Sequence, residues 1–158
     1  MLLSNIFSPL NIKVGLESED KDELFEEMVD LFVSNTPGSP PRTAILEALH
    51  ERENKLSTGI KKGLGLPHAK IQGLQHPAGV IGLSKEGIEY ESLDGSQVHI
   101  VFMLLSTETD YDIHLRILKR LSLLLNDPSF LNELFIQTSN EDVYQTLCRF
   151  EKTLVGML

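Results

Sequence analysis

Five histidines are available to this chain, His50, His68, His76, His99 and His114, and two of them sit in settings suited to chemistry. His68 follows the run Gly63-Leu64-Gly65-Leu66-Pro67. Pro67 fixes one backbone torsion and restrains Leu66, so the segment that delivers His68 is stiff. The glycines permit close backbone approach and let N–H groups converge on an anion. A neutral imidazole held beside such a loop is suited to accept a phosphoryl group. The plain alternative is a turn followed by a surface histidine, and this segment alone does not choose between them.

His114 shares a helical face with Ile117, Leu118, Leu121 and Leu125, at offsets of three, four, seven and eleven. It therefore points inward in the first turn of a helix, just after the caps Thr109 or Asp110. A helix N-terminus favours anions and disfavours imidazolium, so His114 is placed to donate a hydrogen bond while neutral. On these residues alone, a partly buried histidine satisfied by a backbone carbonyl is the simpler reading. Arg52, sixteen residues before His68, carries a planar fork that can hold two phosphate oxygens at once. Its alternative is a surface pair with Glu51 or Glu53. Phosphoryl transfer asks a protein mainly for positioning and charge stabilisation, which a histidine, an arginine and loop amides can supply.

Other constellations are weaker. Ser57-Thr58-Gly59-Ile60-Lys61-Lys62-Gly63 has glycines and lysines but lacks the order of a G-x-x-x-x-G-K-[ST] nucleotide loop. His68 and His76 are eight apart across an expected turn, with no H-E-x-x-H or Cys/His set nearby, so neither a metal nor another cofactor is expected. Cys148 shares a helical face with Tyr144 and is read as packed rather than nucleophilic.

The balance of the chain sharpens the picture. Its 158 residues carry 14 Lys+Arg against 23 Asp+Glu, a formal net charge of −9, which argues against nucleic-acid binding. Between residues 50 and 70, however, five basic residues face only two acidic ones, Glu51 and Glu53. A basic island in an acidic protein suits an anionic group at one place, although a solvated loop would have the same composition. No apolar run approaches the ~20 residues needed to span a bilayer. The opening Met1-Leu2-Leu3-Ser4-Asn5 lacks a signal peptide's basic and apolar regions, and Cys148 stands alone, so a cytoplasmic location is expected.

These residues need elements to hold them. Ile12, Val14 and Leu16 alternate with polar neighbours as a first strand. Residues 18–22 supply caps for a helix whose face is Leu24, Phe25, Met28, Leu31 and Phe32, closed by Asn35-Thr36-Pro37-Gly38. Ser39 is expected as the next N-cap, with Pro40 at the first helical position. Ile45, Leu46 and Leu49 give that helix its buried face, and its end is expected at 52–54. A glycine-rich loop follows at 57–65, with short strands at 64–66 and 87–90 and stronger ones at 80–83 and 98–105. Asp94-Gly95 marks a turn. The unbroken apolar run at 100–105 predicts a strand covered on both faces. Helices are expected at 111–125, 128–135 and 140–150. The whole, residues 1–158, reads as one α/β domain with a mixed central sheet flanked by helices.

Arg52-Glu53, Ser57-Thr58-Gly59-Ile60 and Gly63-Leu64-Gly65-Leu66-Pro67-His68 together resemble the signature of enzyme IIA domains of the bacterial phosphotransferase system, fructose/mannitol type, which includes the nitrogen-regulatory members. The resemblance extends to the opening segment up to Leu16, the His-Leu of the 110–125 segment and the closing Asn140-Glu141-Asp142-Val143-Tyr144. It implies a phosphohistidine at His68, formed from the small carrier HPr, with Arg52 and His114 holding the phosphate and orienting the imidazole. Thr58 and Gly59 match the loop beside it, as substrate-binding positions. Two residues depart from the pattern: Lys61 stands where Gly or Ala is usual, and Gly65 where Ala is usual.

In sugar-transporting members the group passes to a cysteine of a IIB domain; in nitrogen-regulatory members phosphorylation controls binding to other proteins. With no IIB or membrane segment fused here, the regulatory type is the expected one. A sugar-transport role with a separate IIB partner is the alternative. A partner-binding module that has lost phosphotransfer, with Lys61 and Gly65 as signs of drift, is a third reading.

Overall fold

The computed structural model describes residues 2–157, with Lys61 described in its backbone alone. A single 3-10 turn, Leu3–Asn5, leads into strand β1, Phe7–Val14. Helices α1, Lys21–Ser34, and α2, Arg42–Lys55, follow. The strands β2, Gly59–Lys61, β3, Leu64–Gly65, β4, His68–Ile71, β5, Ala78–Ile88, and β6, Val98–Thr107, build the centre. Helices α3, Tyr111–Leu125, α4, Pro128–Phe135, and α5, Asn140–Gly156, close the chain.

The sheet is mixed, in the order β1-β5-β6-β3-β2, with β4 also paired to β6. β6 is its spine. It runs antiparallel to β5 and parallel to both β3 and β4. Along it Ile100, Phe102 and Leu104 face the cluster made with α3, α4 and α5, including Ile117, Leu121, Phe130, Leu134 and Val143. Val101, Met103 and Leu105 face the opposite cluster, with Leu24, Phe25, Met28, Ile45 and Leu49 of α1 and α2. Both faces are covered, which is why the run shows no apolar/polar alternation. The expected architecture, a mixed sheet between helices, is the one observed.

Several boundaries differ from expectation, each for a local reason. β1 begins five residues before Ile12, because Pro9 and a buried Asn11 disguise the pattern; β1 is an edge strand, where proline is tolerated. Leu16 lies beyond it, after Gly15 at φ 94°. α2 is not capped by Ser39: Pro41 is its N-cap and Arg42 its first residue. Pro41 bars the helical region to Pro40, so the double proline displaces the start. The expected loop 57–65 is in part a hairpin. β2 and β3 pair antiparallel around Lys62 and Gly63, whose φ values of 49° and 79° are the positive pair that a tight two-residue turn demands. The separate strand expected at 87–90 is instead the end of β5, which continues past Leu83 through an irregularity where Gly87 takes φ 95°. α5 runs six residues past Phe150.

β4 is the element without a sequence forecast. β3 pairs with Ile100 and Val101, and β4 pairs with Leu104 through Thr107, so the segment 64–71 follows one flank of β6. Pro67 interrupts it because it has no N–H to give, but its carbonyl still accepts from the Leu104 N–H at 2.9 Å. The interruption leaves His68 as the first residue of a strand, in register with Leu104.

Candidate functional site

His68 is half-buried, and its ring is oriented by its own segment. Its Nδ1 lies 2.8 Å from the Leu66 carbonyl oxygen. A carbonyl can only accept, so Nδ1 carries the proton and Nε2 holds the free electron pair. Burial lowers the His68 pKa, and the Arg52 charge lowers it further; the Leu66 hydrogen bond and the Glu53 charge act in the opposite direction without reversing it. The imidazole is therefore neutral at pH 7.

The Leu66 carbonyl is itself located by a chain of contacts running back to α2. The Leu66 N–H donates to the Thr58 carbonyl at 2.9 Å. Thr58 is buried and donates to Glu53 twice, from its N–H at 2.8 Å and from its hydroxyl at 2.6 Å. That hydroxyl is also 2.7 Å from the Tyr90 hydroxyl, and Lys21 of α1 stands 3.3 Å from the Glu53 carboxylate. Burial pushes the Tyr90 phenol well above its ordinary range, so it stays neutral as a hydrogen-bonding partner. The β2–β3 segment is thus anchored through Thr58 to a buried, charge-paired glutamate.

His114 lies in the first turn of α3, 7% exposed, with its ring centroid 6.0 Å from that of His68. Ser106, near the end of β6, shares a hydrogen bond with its Nδ1. Burial, then the charges of His68 and Lys70, push its pKa down to about 4. As expected from its offsets, it shares its face with the buried Ile117, Leu121 and Leu125. Asp110 is the residue at the N-cap, although its side chain makes no cap hydrogen bond.

Arg52 occupies the last turn of α2, where one guanidinium nitrogen donates to the Leu56 carbonyl at 2.9 Å. An arginine has five N–H donors, so this contact fixes the fork without exhausting it. Arg52, His68 and His114 line one cleft of about 340 Å³, together with Lys55 and Lys70. Glu51 is the single carboxylate among its described lining residues. The Lys70 ammonium is held 4.0 Å over the ring of Tyr111, a cation–π contact that pins it at the mouth. Three of the five basic residues at 50–70, Arg52, Lys55 and Lys70, therefore surround a neutral imidazole, while Lys62 lies outside this cleft.

Thr58 and Gly59 do not line this cleft. Thr58 faces inward, and its contacts act on the cleft through Leu66. At Gly59 a Cβ would fall 2.4 Å from Ser92 Oγ and 2.9 Å from Ser92 Cα, so the position takes no side chain without displacing the 90–92 segment. Gly65 packs on Tyr90 and Val98, where a Cβ would lie 3.3–3.4 Å from their side chains. The side chain of Lys61 lies outside the described residues. Cys148, on α5, is not in the cleft, and Tyr144 beside it donates to the Ser4 carbonyl at 2.8 Å.

Sequence reading missed Lys21, Tyr90 and Ser106 as parts of the site, took Glu53 only as a motif residue and a surface partner for Arg52, and counted Lys70 only among the basic residues at 50–70. For Glu53 a signal was present: it follows Ile45 and Leu49 at steps of four, on the apolar stripe of α2, where an acid needs a partner. Ser106 and Lys21 reach the site only through tertiary packing.

Among the described residues no helix is long and apolar enough to cross a membrane. The chain is 35% identical over 152 residues to the fructose-specific EIIABC component of Bacillus subtilis, covering 96% of this chain and 24% of that protein, so it spans about a quarter of that relative's length. It is 32% identical to the fructose-specific EIIA component of Haloferax volcanii, over 80% of this chain and 82% of that one. The crystal structure of the nitrogen regulatory protein IIA-Ntr from Neisseria meningitidis superposes with a TM-score of 0.85 at 28% identity, covering 92% of this chain and 98% of that chain. IIA mannitol from Escherichia coli shares the fold, with a TM-score of 0.72 at 18% identity over 89% of this chain and 97% of that one. The model of the EIIA 2 domain matches residues 5–149, and the chain accordingly belongs to the EIIA 2 family of the phosphoenolpyruvate-dependent sugar phosphotransferase system.

Proposed function

We propose that this protein is a phosphocarrier in which Nε2 of His68 accepts a phosphoryl group from an HPr-type phosphohistidine donor in the cytoplasm. The observation that carries this reading is the 2.8 Å contact between His68 Nδ1 and the Leu66 carbonyl, which leaves Nε2 unprotonated in a cation-lined cleft. Nε2 attacks phosphorus in line, the Nε2–P bond forms as the donor's P–N bond breaks, and each ring keeps the proton on its other nitrogen. The charge acquired by the His68 ring is stabilised by the carbonyl already accepting from Nδ1. Arg52 and Lys70 neutralise the transferring oxygens, and His114, its Nδ1 engaged by Ser106, gives them an Nε2–H. Thr58 and Gly59 act as positioning residues for the loop rather than as phosphate ligands.

The onward acceptor has two supports. The relatives at 35% and 32% identity are fructose-specific, which favours passage to a IIB cysteine in sugar uptake. The regulatory role, in which the phosphorylation state controls partner proteins, is supported by the likeness to IIA-Ntr at a TM-score of 0.85. The test is intact-protein mass after incubation with phosphoenolpyruvate, enzyme I and HPr, beside a His68→Ala control. One acid-labile phosphoryl group is expected, absent from the control and located on Nε2 by the nitrogen shifts of the ring. No gain with a competent HPr would sink the phosphocarrier reading in favour of a binding module. Passing the labelled protein to a IIB domain then separates uptake from regulation.

A further inference from the structure

A cavity larger than the phosphoryl cleft lies away from His68. About 540 Å³ opens between the β2–β3 turn, the start of β6 and the corner joining α3 to α4. Its floor is apolar, made by Leu64, Ile100, Leu125 and Phe135. His99 forms one wall, edge-on to Phe135 with ring centroids 5.7 Å apart, its Nδ1 spent on the Ser84 carbonyl at 2.9 Å. Lys62 and Lys85 stand at the mouth, both exposed. α3 carries His114 in its first turn and Leu125 at its last residue, about 16 Å apart at a helical rise of 1.5 Å per residue. The cavity and the phosphoryl cleft are thus different places on one scaffold.

We propose that this cavity binds a small organic anion with an apolar body, a carboxylate carried on an alkyl or aryl group. Its volume lies within the ~300–1,000 Å³ range of ligand pockets, and such pockets combine an apolar lining with a few polar groups that set orientation. No carboxylate occurs among its described lining residues. Neither Lys62 nor Lys85 has an ion-pair partner within 4.0 Å among the described residues. Asp94 accepts the Lys62 backbone N–H at 3.1 Å and the Ser96 N–H and hydroxyl at 3.0 and 2.6 Å, and forms no ion pair with either ammonium group among the described residues. Two unpaired ammonium groups over an apolar floor in a protein of net charge −9 select an anionic head and an apolar tail. The phosphotransfer reading requires none of this, so the site stands or falls without it.

The experiment is a titration of the isotope-labelled full chain with octanoate at low salt, followed by amide shifts, with 1-octanol as the neutral probe. Octanoate is expected to produce saturable shifts at Gly63, Leu64, Ile100 and Phe135, and to bind at least about fivefold more tightly than octanol, the upper range of one exposed ion pair. In Lys62→Gln/Lys85→Gln that preference disappears while octanol binding stays. Leu131→Trp, which fills the cavity, abolishes both. Equal affinity for octanol and octanoate, unsaturable shifts, shifts centred on another surface, or a preference that survives loss of both lysines would each overturn the proposal. The lysine variant alters only exposed side chains, so the question stays open to decision even if the tryptophan variant fails to fold.

Discussion

Glu53 holds Thr58 by two hydrogen bonds, 2.8 Å from its N–H and 2.6 Å from its hydroxyl, and so sets the height of the strand that leads to His68. The carboxylate is buried and its charge is balanced by Lys21 at 3.3 Å. Such a group contributes less by attraction than it costs when removed, because its partners are then left desolvated and unpaired.

Glu53→Ala is therefore expected to lower unfolding free energy by about 3 kcal/mol. Phosphoryl acceptance by His68 should also slow at temperatures where the variant is fully folded, since the Leu66 carbonyl loses its anchor through Thr58. Urea unfolding and initial phosphorylation rates measure the two effects separately. Thr58→Val keeps the volume but removes the hydroxyl, so a smaller loss of about 1–2 kcal/mol is expected. A Glu53→Ala protein with undiminished rate would show that the loop needs no such support.

His114 gives a pH prediction whose sign is fixed by its environment. Its folded pKa is pushed down to about 4, first by burial and then by His68 and Lys70, against about 6.5 in the unfolded chain. Below pH 6.5 the unfolded chain takes up a proton that the folded protein refuses, so stability falls as pH drops toward 4. The full contribution, on the order of 3 kcal/mol, is present above pH 6.5. His68, with a pKa also lowered by burial, acts in the same direction. Urea unfolding of wild type and His114→Gln at pH 7.5 and 4.5 isolates the term: the variant should lose less stability on acidification. Equal losses in both proteins would mean that His114 charges freely in the folded state.

The face of α3 was legible because its apolar residues repeat with the helical period and nothing interrupts them; His114 was placed inward by counting from Ile117, Leu121 and Leu125. β6 was legible for the complementary reason, a long apolar run needing cover on both faces. The segment around His68 was not. β4 is four residues long, begins after a proline and alternates buried and exposed positions too briefly to show a period. Thr58 read as a loop hydroxyl because its partners, Glu53 and Tyr90, come from α2 and from beyond the end of β5. Local pattern carries periodicity and turn chemistry; it does not carry which distant polar group closes a buried network.

Arg52 separates charge from geometry. Its guanidinium is tethered to the Leu56 carbonyl at 2.9 Å and lines the cleft with His68. Arg52→Lys keeps the positive charge and loses the planar fork, which is what binds two phosphoryl oxygens together. The phosphorylation rate is expected to drop by about a hundredfold, with unfolding free energy changed by less than about 1 kcal/mol. Rapid-quench kinetics with phospho-HPr reads the first quantity and urea unfolding the second. A lysine variant with the wild-type rate would reduce Arg52 to a source of charge.

Glu151 makes a prediction that is structural alone. It is 2% exposed on α5 and accepts from the Leu3 N–H at 2.5 Å and the Ser4 N–H at 2.9 Å, with Arg120 at 3.8 Å. These bonds tie the opening 3-10 turn to the far end of the chain. Leu3, fully buried in the α3–α5 cluster, is kept there by them. Glu151→Ala strands the buried Leu3 N–H, frees the half-buried Ser4 N–H and removes a buried charge beside Arg120, and is expected to cost about 3 kcal/mol. Hydrogen exchange should then quicken at residues 3–7 while His68, on β4 at the flank of β6 away from β1, still takes its phosphoryl group. If the variant instead lost phosphorylation while remaining folded, the first residues would have to be coupled to the cleft, and the separation between this anchor and the chemistry would fail.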